Sequence, residues 1–76
     1  MKLYDMNTET EYSIPALFTE WETFRKEDPQ NHAESFKREL FTVLMDTVNG
    51  RNDYTITGIT SEELERYIKK MRRLLQ

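Results

Sequence analysis

The stretch from Ala33 to Val48 is the feature that most limits how this chain folds. Its apolar residues recur with the 3.6-residue period of a helix, and Asn49-Gly50 follows as a typical left-handed helix end. Phe41 and Met45 lie four residues apart and are rotated away from the main stripe, so the apolar sector is wider than one contact surface requires. Such a helix is either central and covered on two sides, which we favour, or partly covered by a partner. The main stripe consists of Ala33, Phe36, Leu40, Val43, Leu44 and Val48.

A first amphipathic helix is predicted before this stretch. Ser13 is placed to cap it, and Pro15 fits its first turn, where a missing backbone NH costs nothing. Pro29 disfavours helical geometry at the preceding residue, so we expect the helix to end near Asp28. Its apolar stripe consists of Leu17, Phe18, Trp21 and Phe24.

Two capping boxes predict where the other helices begin. Asn31 and Glu34 have the capping-box spacing at the start of the long helix, and Thr60 and Glu63 have it at the start of a third helix. Apolar residues in this third helix recur at steps of three and four, which is typical of an amphipathic helix. They are Leu64, Tyr67, Ile68, Met71, Leu74 and Leu75.

Three short β-prone runs complete the predicted fold. Lys2–Tyr4 and Glu11–Ile14 flank a turn-forming segment and predict a β-hairpin, and Tyr54–Thr57 predicts a third strand beside it. We therefore expect one α+β domain over residues 1–76, with an N-terminal β-hairpin, two helices, a short third strand and a C-terminal amphipathic helix. The alternative is an all-helical domain with a frayed N-terminus, because the third strand is short.

The size and composition of the chain fit one small domain. Its 76 residues contain no Cys and are 37% hydrophobic, and a chain of this length buries about 60% of its unfolded surface. A partner, or a second copy, is therefore expected to add stability. The chain has no signal-peptide pattern and no run of about 18 apolar residues, so we predict a cytoplasmic protein that does not enter a membrane.

Charge is distributed unevenly along the chain. Residues 1–34 contain eight acids and three bases, a net charge of −5, whereas residues 35–76 contain six acids and eight bases, a net charge of +2. The last eleven residues carry five bases and no acid, and a basic helix can contact nucleic-acid phosphates. The helix dipole and the pairs Glu62–Arg66 and Glu65–Lys69 explain this pattern without a ligand.

The sequence offers few residues for catalysis. His32 stands alone, near the predicted start of the long helix, and no Cys is present to share a metal or a proton with it. A partial calcium-loop pattern begins at Asp53 but fails at its twelfth position, where Leu64 replaces the required acid. We therefore expect no enzymatic activity, no metal or other cofactor and no small-molecule substrate.

The first half of the chain resembles a group of small accessory proteins. The likeness rests on Lys2–Thr8, the short strand that follows, the Pro-started helix with Trp21, and Asp28-Pro29. It is similar in these features to proteins encoded by phages and mobile elements of Gram-positive bacteria. The resemblance implies an intracellular, non-enzymatic helper or regulator and carries over no functional residue.

These observations together favour a protein-interaction module or accessory regulator. Its partner is another protein or a second copy in a homodimer, and the candidate surface comprises Phe41 and Met45, or the basic end of the last helix. The alternative is a small DNA-binding regulator. Its candidate phosphate contacts are Arg66, Lys69, Lys70, Arg72 and Arg73.

Overall fold

A three-stranded antiparallel sheet and three helices form the part of the chain that the structure describes. The structure is a computed structural model, and it describes residues 1–27 and 32–74. The predicted α+β architecture and its order of elements are confirmed. The elements are β1 (Lys2–Asp5), β2 (Thr10–Ser13), α1 (Ile14–Glu27), α2 (His32–Val48), β3 (Tyr54–Thr57) and α3 (Ser61–Leu74).

Strand β1 is the centre of the sheet, and the strand order is β2-β1-β3. Leu3 in β1 pairs with Tyr12 of the predicted hairpin and with Ile56 of the third strand. These three side chains share one face of the sheet, because residues directly opposite each other in a ladder point the same way. The other face is wet and carries an exposed ion pair between Lys2 and Glu11, at 3.0 Å.

Side-chain caps fix the starts of α1 and α3 as the sequence predicts. The Ser13 hydroxyl accepts a hydrogen bond from the backbone NH of Ala16 at 3.4 Å. At α3 the Thr60 hydroxyl accepts from the backbone NH of Glu63 at 3.1 Å, and the Glu63 carboxylate accepts from the backbone NH of Thr60 at 3.4 Å. The predictions for Asp28, Pro29, Asn31 and Leu75 lie outside the described residues.

Helix α2 is the central element of the core, with α1 on one side and α3 on another. Leu44 has no exposed surface, and Phe41 is 8% exposed. The ring of Phe18, from α1, meets the edges of both Phe41 and Tyr67, with centroid distances of 5.7 and 5.6 Å. The wide apolar sector of α2 is therefore explained by contacts within the chain.

A buried hydrogen bond also joins α1 to α2. The Trp21 indole NH donates a hydrogen bond to the backbone carbonyl of Ala33 at 2.9 Å, and both residues are buried. Next to this bond, the rings of Phe24 and Phe36 pack edge to face at 5.2 Å. The indole therefore buries its large apolar surface without leaving its one donor unpaired.

The C-terminal end of α2 is tied to the following strand. The backbone NH of Arg51 donates to the Asp46 carbonyl at 2.8 Å and that of Gly50 to Thr47, the paired bonds of a Schellman motif. The amide of Asn52 then donates to the Val43 carbonyl at 3.2 Å and accepts from the backbone NH of Tyr54, the first residue of β3, at 3.2 Å. This junction sets where β3 joins the sheet.

The two glycines give a matched test of how the turns are packed. Both have positive φ, +68° at Gly50 and +77° at Gly58, so alanine at either site costs about 1 kcal/mol in backbone strain. A Cβ at Gly58 would also lie 2.8 Å from the nitrogen of Met1, whose carbonyl accepts from Ile14, whereas a Cβ at Gly50 meets nothing within 4 Å. We expect Gly58→Ala to lower the free energy of unfolding by about 1 kcal/mol more than Gly50→Ala, measured by urea denaturation. An equal decrease in the free energy of unfolding for Gly58→Ala and Gly50→Ala would contradict the close packing of Met1 against Gly58.

Candidate functional site

A depression between α2 and α3 brings together residues from both sets of candidates named above. Its volume is about 360 Å³. We call it the α2–α3 depression. It is lined by Arg38, Phe41, Thr42, Met45 and Asp46 from α2 and by Arg72 from α3.

Phe41 is covered within the chain, as expected if α2 is a central helix with neighbours on two sides, so it is not a spare apolar residue. It belongs to the buried core, and its ring packs against Phe18. The guanidinium carbon of Arg72 lies 5.4 Å from the centre of the same ring, within cation–π distance. Met45 is half-buried. What remains of the predicted apolar surface is therefore Met45 and the part of Phe41 that lines the depression.

The depression carries more positive than negative charge. Arg38 and Arg72 are exposed, and Asp46 is half-buried. Within residues 1–27 and 32–74, neither guanidinium has a carboxylate oxygen within 4 Å. Their donors are therefore free for an external acceptor. A guanidinium is suited to this role because its NH groups match the two oxygens of a carboxylate.

The five basic residues of α3 do not form one uniform surface, although all are exposed. Lys69 pairs with Glu65 at 3.5 Å, as predicted, but the predicted partner of Arg66, Glu62, does not come within 4 Å of it in the described structure. Arg72 turns towards Phe41 on α2. The bases with no described partner, besides Arg72, are Arg66, Lys70 and Arg73.

A second concave site, which the sequence did not indicate, lies between the sheet and the helices. It has a volume of about 310 Å³, and we call it the tyrosine cleft. Tyr12 and Tyr54 come from the two edge strands, and Tyr12 remains 37% exposed. The site brings together residues up to about fifty positions apart. The hydrophobic periodicity of the sequence predicts single elements, so it could not predict that these residues meet. Its lining comprises Leu3, Tyr12, Leu17, Phe36, Glu39, Leu40, Val43 and Tyr54.

The tyrosine cleft favours the neutral form of Tyr54. Burial is the largest cause that raises the pKa of the Tyr54 phenol above its usual 10.0, and the nearby Asp5, Tyr12 and Glu39 raise it further. Asp5 is itself buried and accepts a hydrogen bond from the backbone NH of Asn7 at 2.9 Å. The polar side of the cleft is therefore acidic and contains no described base.

Other candidate sites are not assembled in the described part of the chain. His32 is exposed and lies edge-on to the ring of Phe24, with a centroid distance of 4.2 Å. Among residues 1–27 and 32–74, no three acidic or histidine side chains come together as a metal site. None of the described helices is both long and apolar enough to cross a membrane. Comparison with protein-family models, with curated proteins and with solved structures gave no match.

The half-buried phenols of Tyr54 and Tyr67 predict a loss of stability at alkaline pH. Burial also raises the pKa of Tyr67, so both Tyr54 and Tyr67 hold their protons more tightly when the protein is folded. Their contribution is present in full below pH 10 and is lost as pH rises through the raised folded-state pKa values. We expect the free energy of unfolding in urea to fall as pH rises above about 10.

The double variant Tyr54→Phe with Tyr67→Phe should reduce this dependence on pH. Phenylalanine keeps the ring and removes the ionisable hydroxyl. The measurement compares the slope of the free energy of unfolding against pH in the wild type and the double variant, because the substitutions also change the absolute stability. An unchanged slope would contradict the assignment to these two phenols.

Proposed function

We propose that this protein is a non-enzymatic protein-interaction module whose α2–α3 depression binds an acidic segment of a partner protein. The observation that carries the proposal is the position of the Arg72 guanidinium over Phe41, in a depression that also exposes Arg38. An apolar floor next to two cations fits an apolar side chain flanked by carboxylates. The proposal also includes a role as an accessory regulator and a location in the cytoplasm, both of which remain predictions from the sequence.

Contact with Phe41 prepares Arg72 for binding. A free arginine side chain loses about 2 kcal/mol of rotamer entropy when it is fixed, and part of that loss occurs already when the guanidinium stacks on the ring. Met45, which is flexible and polarisable, can adapt to apolar groups of different shape. The depression therefore combines an oriented charge with an adaptable apolar contact.

The chemistry of the lining favours binding over catalysis. Four of the six lining residues carry guanidinium, phenyl or thioether groups, which do not exchange protons near neutral pH. The other two, Thr42 and Asp46, share no hydrogen bond among the described residues, so the hydroxyl is not activated as a nucleophile. A depression of about 360 Å³ holds a few side chains, so we expect an affinity in the micromolar range.

Selection from a random-peptide display library on the purified protein tests the proposal. We expect the recovered peptides to contain Asp or Glu next to an aliphatic or aromatic residue. Binding of a synthetic copy of such a peptide should weaken at least about tenfold in the variant Arg38→Glu with Arg72→Glu, a change of about 1.4 kcal/mol. Fluorescence anisotropy measures the affinity.

The matched control is Arg66→Glu with Arg73→Glu, which changes the net charge equally but away from the depression. It should bind the peptide with little change, and circular dichroism checks that both variants fold. Equal weakening in the two variants would show that bulk charge, rather than the depression, attracts the peptide.

A second candidate function, DNA binding, is favoured by the exposure of all five bases on α3. Arg66, Lys70 and Arg73 have no described carboxylate partner, so three positive charges are available to contact phosphates. A helix with so few free bases is expected to bind weakly and without reading a base sequence.

Titration of a labelled random duplex tests this alternative at about 50 mM and 200 mM salt. If α3 binds phosphates, the dissociation constant should rise steeply with salt, and Arg66→Glu with Arg73→Glu should reduce that dependence. The net charge of −3 leads us to expect no binding at either concentration. Salt-sensitive micromolar binding would favour DNA over an acidic peptide.

A further inference from the structure

The tyrosine cleft has an apolar interior and an acidic edge. Glu39 lines the cleft directly. Glu20 follows the lining residue Leu17 by three positions in α1, so the two lie on the same side of that helix. Two tyrosine rings complete the edge, and their faces attract cations. The cleft is therefore complementary to an apolar side chain that carries a positive charge nearby.

The end of α3 has this chemistry. Leu74 is 65% exposed, the most exposed of the large hydrophobic residues in the described part of the chain. Lys70 precedes it by four residues and so lies on the same side of the helix, about 6 Å along the axis. Lys70 is exposed and has no carboxylate within 4 Å among the described residues.

A chain does not present this end of α3 to its own cleft. Phe41, which contacts α3 through Arg72, and Val43, which lines the cleft, are two residues apart and so about 200° apart around α2. The cleft and α3 therefore lie on different flanks of α2. In the described part of the chain the Lys70–Leu74 end of α3 does not reach this cleft, so a second molecule has to bring it there.

We propose that the tyrosine cleft binds the Lys70–Leu74 end of α3 from a second copy of this protein. The Leu74 side chain enters the apolar part of the cleft, and the Lys70 ammonium lies against Glu39 and the tyrosine rings. The second copy is the favoured occupant because the chain itself carries both complementary surfaces.

Sedimentation velocity over protein concentrations from about 10 μM to 1 mM tests the proposal. We expect the wild-type protein to self-associate across this range, less strongly at high salt because the contact includes exposed charges. Glu39→Lys and Lys70→Glu should each weaken self-association at least about tenfold. Leu74→Ser, which changes no charge, should weaken it as well.

Mixing the two charge variants provides the decisive measurement. In an equimolar mixture, Lys70 of the Glu39→Lys chain meets Glu39 in the intact cleft of the Lys70→Glu chain. In the second possible contact, the glutamate introduced at position 70 meets the lysine introduced at position 39, and these two charges also attract. Association absent from each variant alone should therefore return in the mixture. The controls are Glu34→Lys on another part of α2 and Lys69→Glu on another side of α3, which change the net charge equally and should keep self-association.

Three results would overturn the proposal. A wild-type protein that stays monomeric up to 1 mM would leave the basic segment of a different protein as the occupant of the cleft. Self-association that survives Glu39→Lys and Lys70→Glu would use another surface. Failure of the mixture to associate, when circular dichroism shows both variants folded, would mean that these two residues do not face each other.

Discussion

The burial of α2 between α1 and α3 is the contact on which the rest of the structure depends. A 76-residue chain without disulfides has too little apolar surface for several independent cores. Here one helix provides the common surface, with Leu44 fully buried at its centre and Phe18 in contact with both Phe41 and Tyr67. The sheet covers part of what remains through Leu3. Loss of either neighbouring helix would expose α2, so the domain is expected to unfold as a unit.

Local features of this fold and the third strand beside the hairpin could be predicted from the sequence, whereas most side-chain contacts between distant residues could not. The capping box of Thr60 and Glu63 and the end of α2 at Gly50 depend on residues within one turn, so their spacing is sufficient. The width of the apolar sector of α2 showed that Phe41 needed a second neighbour, but not that α1 would supply it. The tyrosine cleft was missed because it joins Tyr12 and Tyr54, whose meeting depends on the strand order.

The same packing gives the two flanks of α2 opposite electrostatic character. The flank near α3 exposes Arg38 and Arg72, whereas the cleft on the other flank carries Glu39 and two phenols. Both sites have an apolar floor that is part of the core, so each offers a charge and an apolar contact together. If both proposed sites bind as described, one chain contacts two neighbours at once.

The proposed binding at the α2–α3 depression would be linked to the stability of the domain through Arg72. Its guanidinium covers part of Phe41, so the core and the proposed site share a residue. A carboxylate that binds Arg72 while it remains over the ring would stabilise the folded protein, by an amount that grows with the logarithm of the ligand concentration above Kd. A carboxylate that draws Arg72 away would expose the ring and lose part of that gain.

A partner with an apolar side chain next to its carboxylate avoids this loss, because the side chain covers Phe41 in place of the guanidinium. The position of Arg72 therefore favours partners that carry both groups.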